Sequence, residues 1–354
     1  MGKQSEQEMK FDLSAVARPN IYHLKPYSSA RDEFSGAAKI FLDANENPYP
    51  TGYNRYPDPL QWAVKEKLAQ LKMVQKEQLI LGNGSDEIID LLIRSFCQPN
   101  VDEVLILPPT YGMYEVYANV NAVNINSVPL TSDFEVDTQA VLAAVSSNTK
   151  LIFLCSPNNP SGNSFDPEAI KTILVNFSGI VVVDEAYIDF SGFESWATFL
   201  DIYPNLFVMQ TLSKAWGLAG IRLGIGIANR EIIQLLNKVK PPYNISALTQ
   251  EKALEALQNF EEVEDKVQVI LEERIRLSEE LLQLKTVTKI YASDANFILV
   301  KIDDATQRYQ DLLQAGIVVR NRSNVLLCED CLRITIGTPE ENNSVLEALK
   351  KLEA

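Results

Sequence analysis

Short apolar runs punctuated by polar loops dominate the middle of the chain. Leu79–Leu81, Val104–Leu107, Val123–Val128, Leu151–Leu154, Ile180–Val183, Leu206–Gln210 and Leu223–Ala228 are rich in Val, Ile and Leu. Several lack polar alternation, as expected of strands buried on both faces of a parallel sheet. Stretches of helical character between them, such as Glu87–Cys97 and Glu168–Phe177, supply the crossovers. Lys240-Pro-Pro-Tyr243 interrupts this rhythm. A charged helical region from Ser246 to Leu284 follows, then short strands near Phe297–Ile302, Ile317–Arg320 and Leu332–Ile336 and a closing helix. The pattern predicts an α/β protein: a large domain with a mostly parallel seven-stranded sheet between helices, plus a smaller α/β C-terminal domain. The expected divisions are an N-terminal arm over 1–40, packing on the small domain or a partner subunit, a large domain over 41–243 and a small one over 244–354.

In open α/β sheets, ligands bind beyond the carboxyl ends of the strands. Four polar loops fall there: Gly82-Asn-Gly84-Ser85-Asp86, Ser156-Pro-Asn-Asn159-Pro160, Asp184-Glu-Ala-Tyr187 and Thr211-Leu-Ser-Lys214. Gly84-Ser85-Asp86 opens a helix. It is either an anion site built from free N–H groups or an ordinary capped turn. Lys214 is flanked by Thr211 and Ser213 and followed by Arg222, a set able to hold a phosphorylated aldehyde covalently. Asp184, thirty residues upstream, ends an apolar strand. It reads as a helix cap or as the partner of a protonated ring nitrogen. Together they point to pyridoxal 5'-phosphate. Tyr187 and Asn159 can reach the neighbouring ring oxygen, and Asn159-Pro160 has the form of a cis peptide.

Bulk properties narrow the alternatives. The net charge of −15 speaks against nucleic acid and anionic membrane as partners. No apolar stretch reaches the ~20 residues of a membrane span, and the polar start lacks a signal core. A cytoplasmic protein is expected. The four cysteines include Cys328-Glu-Asp-Cys331, a lone CxxC. With His23 the only histidine, neither a zinc site nor a histidine-dependent nucleophile is expected, and no metal is assigned.

The blocks Leu42-Asp-Ala-Asn45-Glu-Asn-Pro48, Arg55-Tyr56-Pro-Asp-Pro, Gly82-Asn-Gly-Ser-Asp-Glu, Pro108-Pro-Thr-Tyr111, Ser156-Pro-Asn-Asn-Pro-Ser-Gly162, Asp184-Glu-Ala-Tyr187, Thr211-Leu-Ser-Lys214 and Leu332-Arg333-Ile-Thr-Ile-Gly337 run in order along the chain. They resemble the aspartate-aminotransferase fold of pyridoxal-phosphate enzymes, most closely the histidinol-phosphate aminotransferases, from about Arg18 onward. The resemblance implies that Lys214 carries the cofactor as an imine and that Asp184 pairs with its ring nitrogen. Asn159 and Tyr187 would contact the ring oxygen, and Tyr111 would stack on the ring. Gly84, Ser85, Asp86, Thr211, Ser213 and Arg222 would form the phosphate site, joined by Tyr56 from a neighbouring subunit of a homodimer. Arg333, Arg320, Tyr27 and Asn45 would contact substrate. The implied reaction moves an amino group from L-histidinol phosphate to 2-oxoglutarate in histidine biosynthesis. A threonine-phosphate decarboxylase, a broad aromatic aminotransferase or a regulator on the same scaffold are the alternatives.

Overall fold

A computed structural model describes residues 11–26 and 39–353. The apolar runs become β1 (Leu79–Asn83), β2 (Glu103–Ile106), β3 (Asn124–Ser127), β4 (Thr149–Cys155), β5 (Ile180–Asp184), β6 (Leu206–Thr211) and β7 (Leu223–Ala228). They form one sheet in the order β1-β7-β6-β5-β4-β2-β3. β7 runs against both its neighbours, and the other pairs are parallel.

Alternate side chains of each strand enter different cores, as the two-residue period of a strand requires. Val181 and Val183 join Ile152 and Leu154 on one face. Val182 joins Leu151 and Phe153 on the other. All are fully buried. Burying each such aliphatic side chain is worth about 1.5–3 kcal/mol, which explains why the central strands tolerate no polar alternation. Helix Ser85–Phe96 closes one face with Ile88, Ile89, Leu92 and Phe96. Helix Pro167–Asn176 closes the other with Ile170, Ile173 and Leu174. The latter starts where Asp166 accepts from the Glu168 N–H and Pro167 occupies the first turn.

The C-terminal region builds a second sheet from β8 (Val287–Ile290), β9 (Phe297–Ile302), β10 (Arg320–Asn321) and β11 (Cys331–Thr335). Its order is β10-β11-β9-β8, and every pair is antiparallel. β10 starts later than the apolar run around Ile317 predicts. The helix Ala305–Gln314 ends in a left-handed Gly316, with Gly316 N–H bonding to Leu313 O and Ile317 N–H to Leu312 O. This is a Schellman closure, and it uses the Ile317 amide before the strand can. The expected long helical region is two helices, Ala247–Ala256 and Phe260–Leu281, broken around Asn259.

The described part of the arm does not pack on the C-terminal unit. Leu13, Val16 and Ala17 bury into the core beneath helix Ser85–Phe96. The Arg18 N–H donates to Ser95 O, and Lys238 Nζ to Tyr22 O. The four cysteines are buried free thiols, and Cys328 and Cys331 lie in the core shared by the two sheets.

Candidate active site

At the carboxyl edge of the first sheet a cleft is lined by Ser85, Asp86, Tyr111, Cys155, Asn159, Asp184, Tyr187, Thr211, Ser213, Lys214 and Arg222 among others. Four separate strand ends deliver these side chains. β5 ends on Asp184, β6 on Thr211, and β1 and β4 feed the turns carrying Ser85 and Asn159.

One end of the cleft is a cup of donors. Helix Ser85–Phe96 begins there, so its first N–H groups have no partner within the helix and carry partial positive charge. The turn before it needs glycine. Gly84 has φ +77°, and a Cβ there would lie 2.6 Å from Arg222 Nη2. Across the cup, a Cβ on Gly224 would meet the Ser85 nitrogen at 2.3 Å. The Gly84 N–H donates to Arg222 O at 2.9 Å, which fastens the two loops together. Thr211 Oγ1 lies 3.0 Å from Ser213 Oγ. Asp86 faces this cup with a carboxylate, but its oxygens are engaged. Oδ1 accepts from Tyr111 Oη at 3.0 Å, and Oδ2 lies 3.9 Å from Arg222 Nη2. Its side chain holds neighbours in place, while its backbone N–H belongs to the cup.

The other end is a buried carboxylate. Asp184 accepts from Tyr114 Oη at 2.6 Å and from the Ala186 N–H at 3.1 Å. Burial lifts its pKa to about 6, against the lowering pull of those two donors. A cation placed beside it would recover that desolvation cost. Between the ends stands Lys214, its Nζ 5.5 Å from the centre of the Tyr187 ring. Burial, then the charge of Arg333, lower its pKa, so more of it is the free amine than on a surface lysine. Tyr187 packs edge-on against Phe297 at 5.1 Å, and the Arg333 guanidinium lies 5.2 Å from the same Phe297 ring. Arg333 donates to Asn159 Oδ1, which ties the second sheet to the cleft.

Not every expected residue is here. Arg320 and Asn45 are exposed and do not line the cleft. Tyr56 is also exposed and stacks on Tyr243 at 4.5 Å, away from the Lys214 side chain of its own chain. Tyr27 lies outside the described residues. Asn159–Pro160 is cis, as are Pro108–Pro109 and Ser156–Pro157. Tyr114 was not foreseen. Its ring stacks on Phe153 at 4.7 Å while its hydroxyl holds Asp184, and only its place three residues after Tyr111 hinted at a role.

The model of the aminotransferase class I and II family matches residues 39–349. The chain belongs to that family. Class I and II aminotransferases depend on pyridoxal phosphate. This aminotransferase is 55% identical over 345 residues to a histidinol-phosphate aminotransferase of Flavobacterium johnsoniae, covering 97% of this chain and 99% of that one. It is 57% identical over 341 residues to a histidinol-phosphate aminotransferase of Parabacteroides distasonis, covering 96% and 99%. Among solved structures it is similar to the histidinol-phosphate aminotransferase of Clostridium acetobutylicum, with a TM-score of 0.79 and 26% identity over 85% of this chain and 91% of the other. The cleft suits the family's cofactor: a cup of donors that a phosphate could accept from, an amine midway, and a buried carboxylate with no ion-pair partner among the described residues at the far end.

Proposed function

We propose that this aminotransferase exchanges an amino group between L-histidinol phosphate and 2-oxoglutarate, yielding imidazole acetol phosphate and L-glutamate in histidine biosynthesis. One observation carries the reading: Lys214, Asp184 and the cup of Ser85, Thr211, Ser213 and Arg222 line a single cleft. The high identity to named relatives over nearly the whole chain supports the substrate.

Pyridoxal phosphate, when bound, supplies an electron sink for the pair left when an amine substrate loses its Cα proton. Lys214 would hold the cofactor through its amine and, when free, would carry that proton, a task favoured by its lowered pKa. Asp184, its carboxylate fixed by Tyr114, would pair with the cofactor's ring nitrogen and favour its protonated form. The N–H groups of Ser85 and Asp86, the hydroxyls of Thr211 and Ser213, and Arg222 hold the phosphate, and Gly84 leaves room for it. Asn159 and Tyr187 orient the ring oxygen, and Tyr111 covers a ring face. Arg333, with the exposed Arg320 and Asn45, takes the substrate's anionic end, and Tyr27 is assigned to the same contact.

The proposal includes a cytoplasmic homodimer with shared sites, in which Tyr56 completes the partner's phosphate cup. The run of large apolar side chains left exposed between Leu42 and Tyr56, namely Leu42, Tyr49, Tyr53 and Tyr56, supports it, since burying them would favour a contact between subunits. We divide the chain into a cofactor-binding unit over 41–243 and a smaller unit over 244–354.

The test is a panel of amine donors, histidinol phosphate, aspartate, phenylalanine and threonine phosphate, assayed with and without 2-oxoglutarate. Glutamate formation with the highest kcat/KM for histidinol phosphate is expected. Carbon dioxide release from threonine phosphate without keto acid would replace this reading by a decarboxylase.

A further inference from the structure

The second sheet sorts its side chains by face. Arg333 on β11 lies directly opposite Arg320 on β10 and Leu299 on β9. Residues paired in this way share a face. The intervening Leu332 and Ile334 point into the core of the C-terminal unit. Phe297, Leu299 and Cys331 point into the core shared with the seven-stranded sheet. Arg320 and Arg333 therefore share the face that Phe297 and Leu299 turn toward the seven-stranded sheet, with Arg320 at its exposed edge and Arg333 reaching Asn159 of the cleft. Arg322 follows Arg320 by two residues, and its N–H donates to Cys331 O at 2.8 Å, continuing the ladder. It belongs to the same face. No motif drew attention to it.

Three guanidiniums thus share one side of one small sheet. Arg333 is hydrogen-bonded only to Asn159 and makes no ion pair among the described residues. The Arg322 side chain has no hydrogen-bond or ion-pair partner among the described residues, and its Nε is buried without one. Burial first, then the charges of Arg333 and Arg320, push Arg322 down to about 10. No acidic side chain among the described residues forms an ion pair with Arg322 or Arg333. Arg322 and Arg333 are half-buried and repel each other, and keeping such cations unpaired is costly. An anion of charge −2 placed against them would recover that cost, and it would do so better than a single carboxylate.

We propose that Arg322 is a substrate-binding residue that, with Arg320 and Arg333, selects a phosphate monoester dianion over a carboxylate. This rests on the reading that a phosphorylated amine is the substrate. The structural alternative, in which Arg322 only holds its loop, finds no side-chain hydrogen bond to work through.

The experiment compares holoenzymes of the wild type, Arg322→Gln and Arg322→Lys. Each is assayed with histidinol phosphate, with unphosphorylated histidinol, and with inorganic phosphate as a competitive inhibitor. Arg322→Gln is expected to raise KM for the phosphorylated amine by about 10- to 100-fold, leave kcat within about threefold, and weaken phosphate inhibition in parallel. The unphosphorylated amine should change by less than about threefold, and Arg322→Lys should fall between, since it keeps charge but loses the planar fork. Equal losses for both amines, or none for either, would overturn the assignment. If the wild type prefers the unphosphorylated amine, the functional reading falls. Phosphate inhibition unchanged in Arg322→Gln would then count separately against Arg322.

Discussion

The two sheets that meet where Arg333 reaches Asn159 offer two walls built on different principles. On the seven-stranded wall the polar groups are tied down by the protein itself. Asp184 is held by Tyr114 and the Ala186 N–H, Asp86 by Tyr111, and Thr211 by Ser213 and Leu223 O. On the four-stranded wall the charged groups are left to one another, with Arg333 anchored by a single neutral amide. The first wall is preorganised, so a group docking there pays little to arrange its partners. The second is charge-frustrated and gains most when an anion arrives. This difference teaches how one cleft can keep a resident cofactor on one side and exchange two different substrates on the other. It also sets a rank order for damage: changes on the first wall should cost chemistry, and changes on the second should cost substrate affinity.

The largest effect should come from Lys214→Ala. Turnover should fall by about 10⁴-fold or more, and the visible absorbance of the lysine-bound cofactor should vanish. The cofactor-free variant should still fold, because the Lys214 side chain makes no hydrogen bond or ion pair among the described residues, and its carbonyl, which accepts from the Gly217 N–H, is kept in the variant. Absorbance and thermal unfolding of the same sample read the two outcomes. An active Lys214→Ala protein would break the division between the walls at its root.

Asp184→Asn separates catalysis from stability. Burial raises this carboxyl from 3.8 to about 6, so between those values the folded chain holds a proton that the unfolded chain has released. Stability of the cofactor-free protein therefore falls as pH climbs from about 4 to about 6 and stays lower above that. Asparagine removes the penalty. Cofactor-free Asp184→Asn should be more stable than wild type by about 3 kcal/mol at pH 8 and equal to it near pH 4. Turnover of the loaded variant should drop about 10²- to 10³-fold. Denaturant melts at the two pH values check the first claim. A variant less stable at pH 8 would show that Asp184 is a structural group rather than a strained one.

Much of the first wall was legible in the chain. Strands buried on both faces must be apolar throughout, so β4, β5 and β6 announced themselves, and glycine, hydroxyl and lysine residues at their ends marked the cup. The second wall was harder to read. β8 is a short edge strand whose Thr288 and Lys289 face solvent, so burial imposed no pattern on it. β10 was displaced because a helix end claimed the Ile317 amide. Arg322 sits outside any motif, and only the register of the sheet gives it a direction. Asn45 and Tyr56 show another limit, since a recognisable block does not place its residues, and both stand exposed away from the cleft of their own chain. Tyr114 lies within an ordinary helix, seventy residues from Asp184. Only the folded chain joins them.

Tyr114→Phe is the mildest change and probes how rigid the first wall is. The variant keeps the ring stacked on Phe153 and removes one hydroxyl. That hydroxyl stabilises the ionised form of Asp184 and so lowers its pKa. Without it the carboxyl should titrate about a unit higher, because a hydrogen bond to a charged group is worth roughly 1.5–3 kcal/mol and part of it is replaced by the Ala186 N–H and by water. Near pH 6 more of the variant then carries neutral Asp184, which attracts a protonated ring nitrogen less. Cofactor affinity should be several-fold weaker than wild type at pH 6 and nearly equal at pH 8.5, where both carboxyls are ionised. Fluorescence titration of the cofactor-free proteins at the two pH values measures this directly. A loss of affinity independent of pH would mean that Tyr114 positions Asp184 sterically, and the preorganisation of this wall would then be a matter of packing rather than of charge.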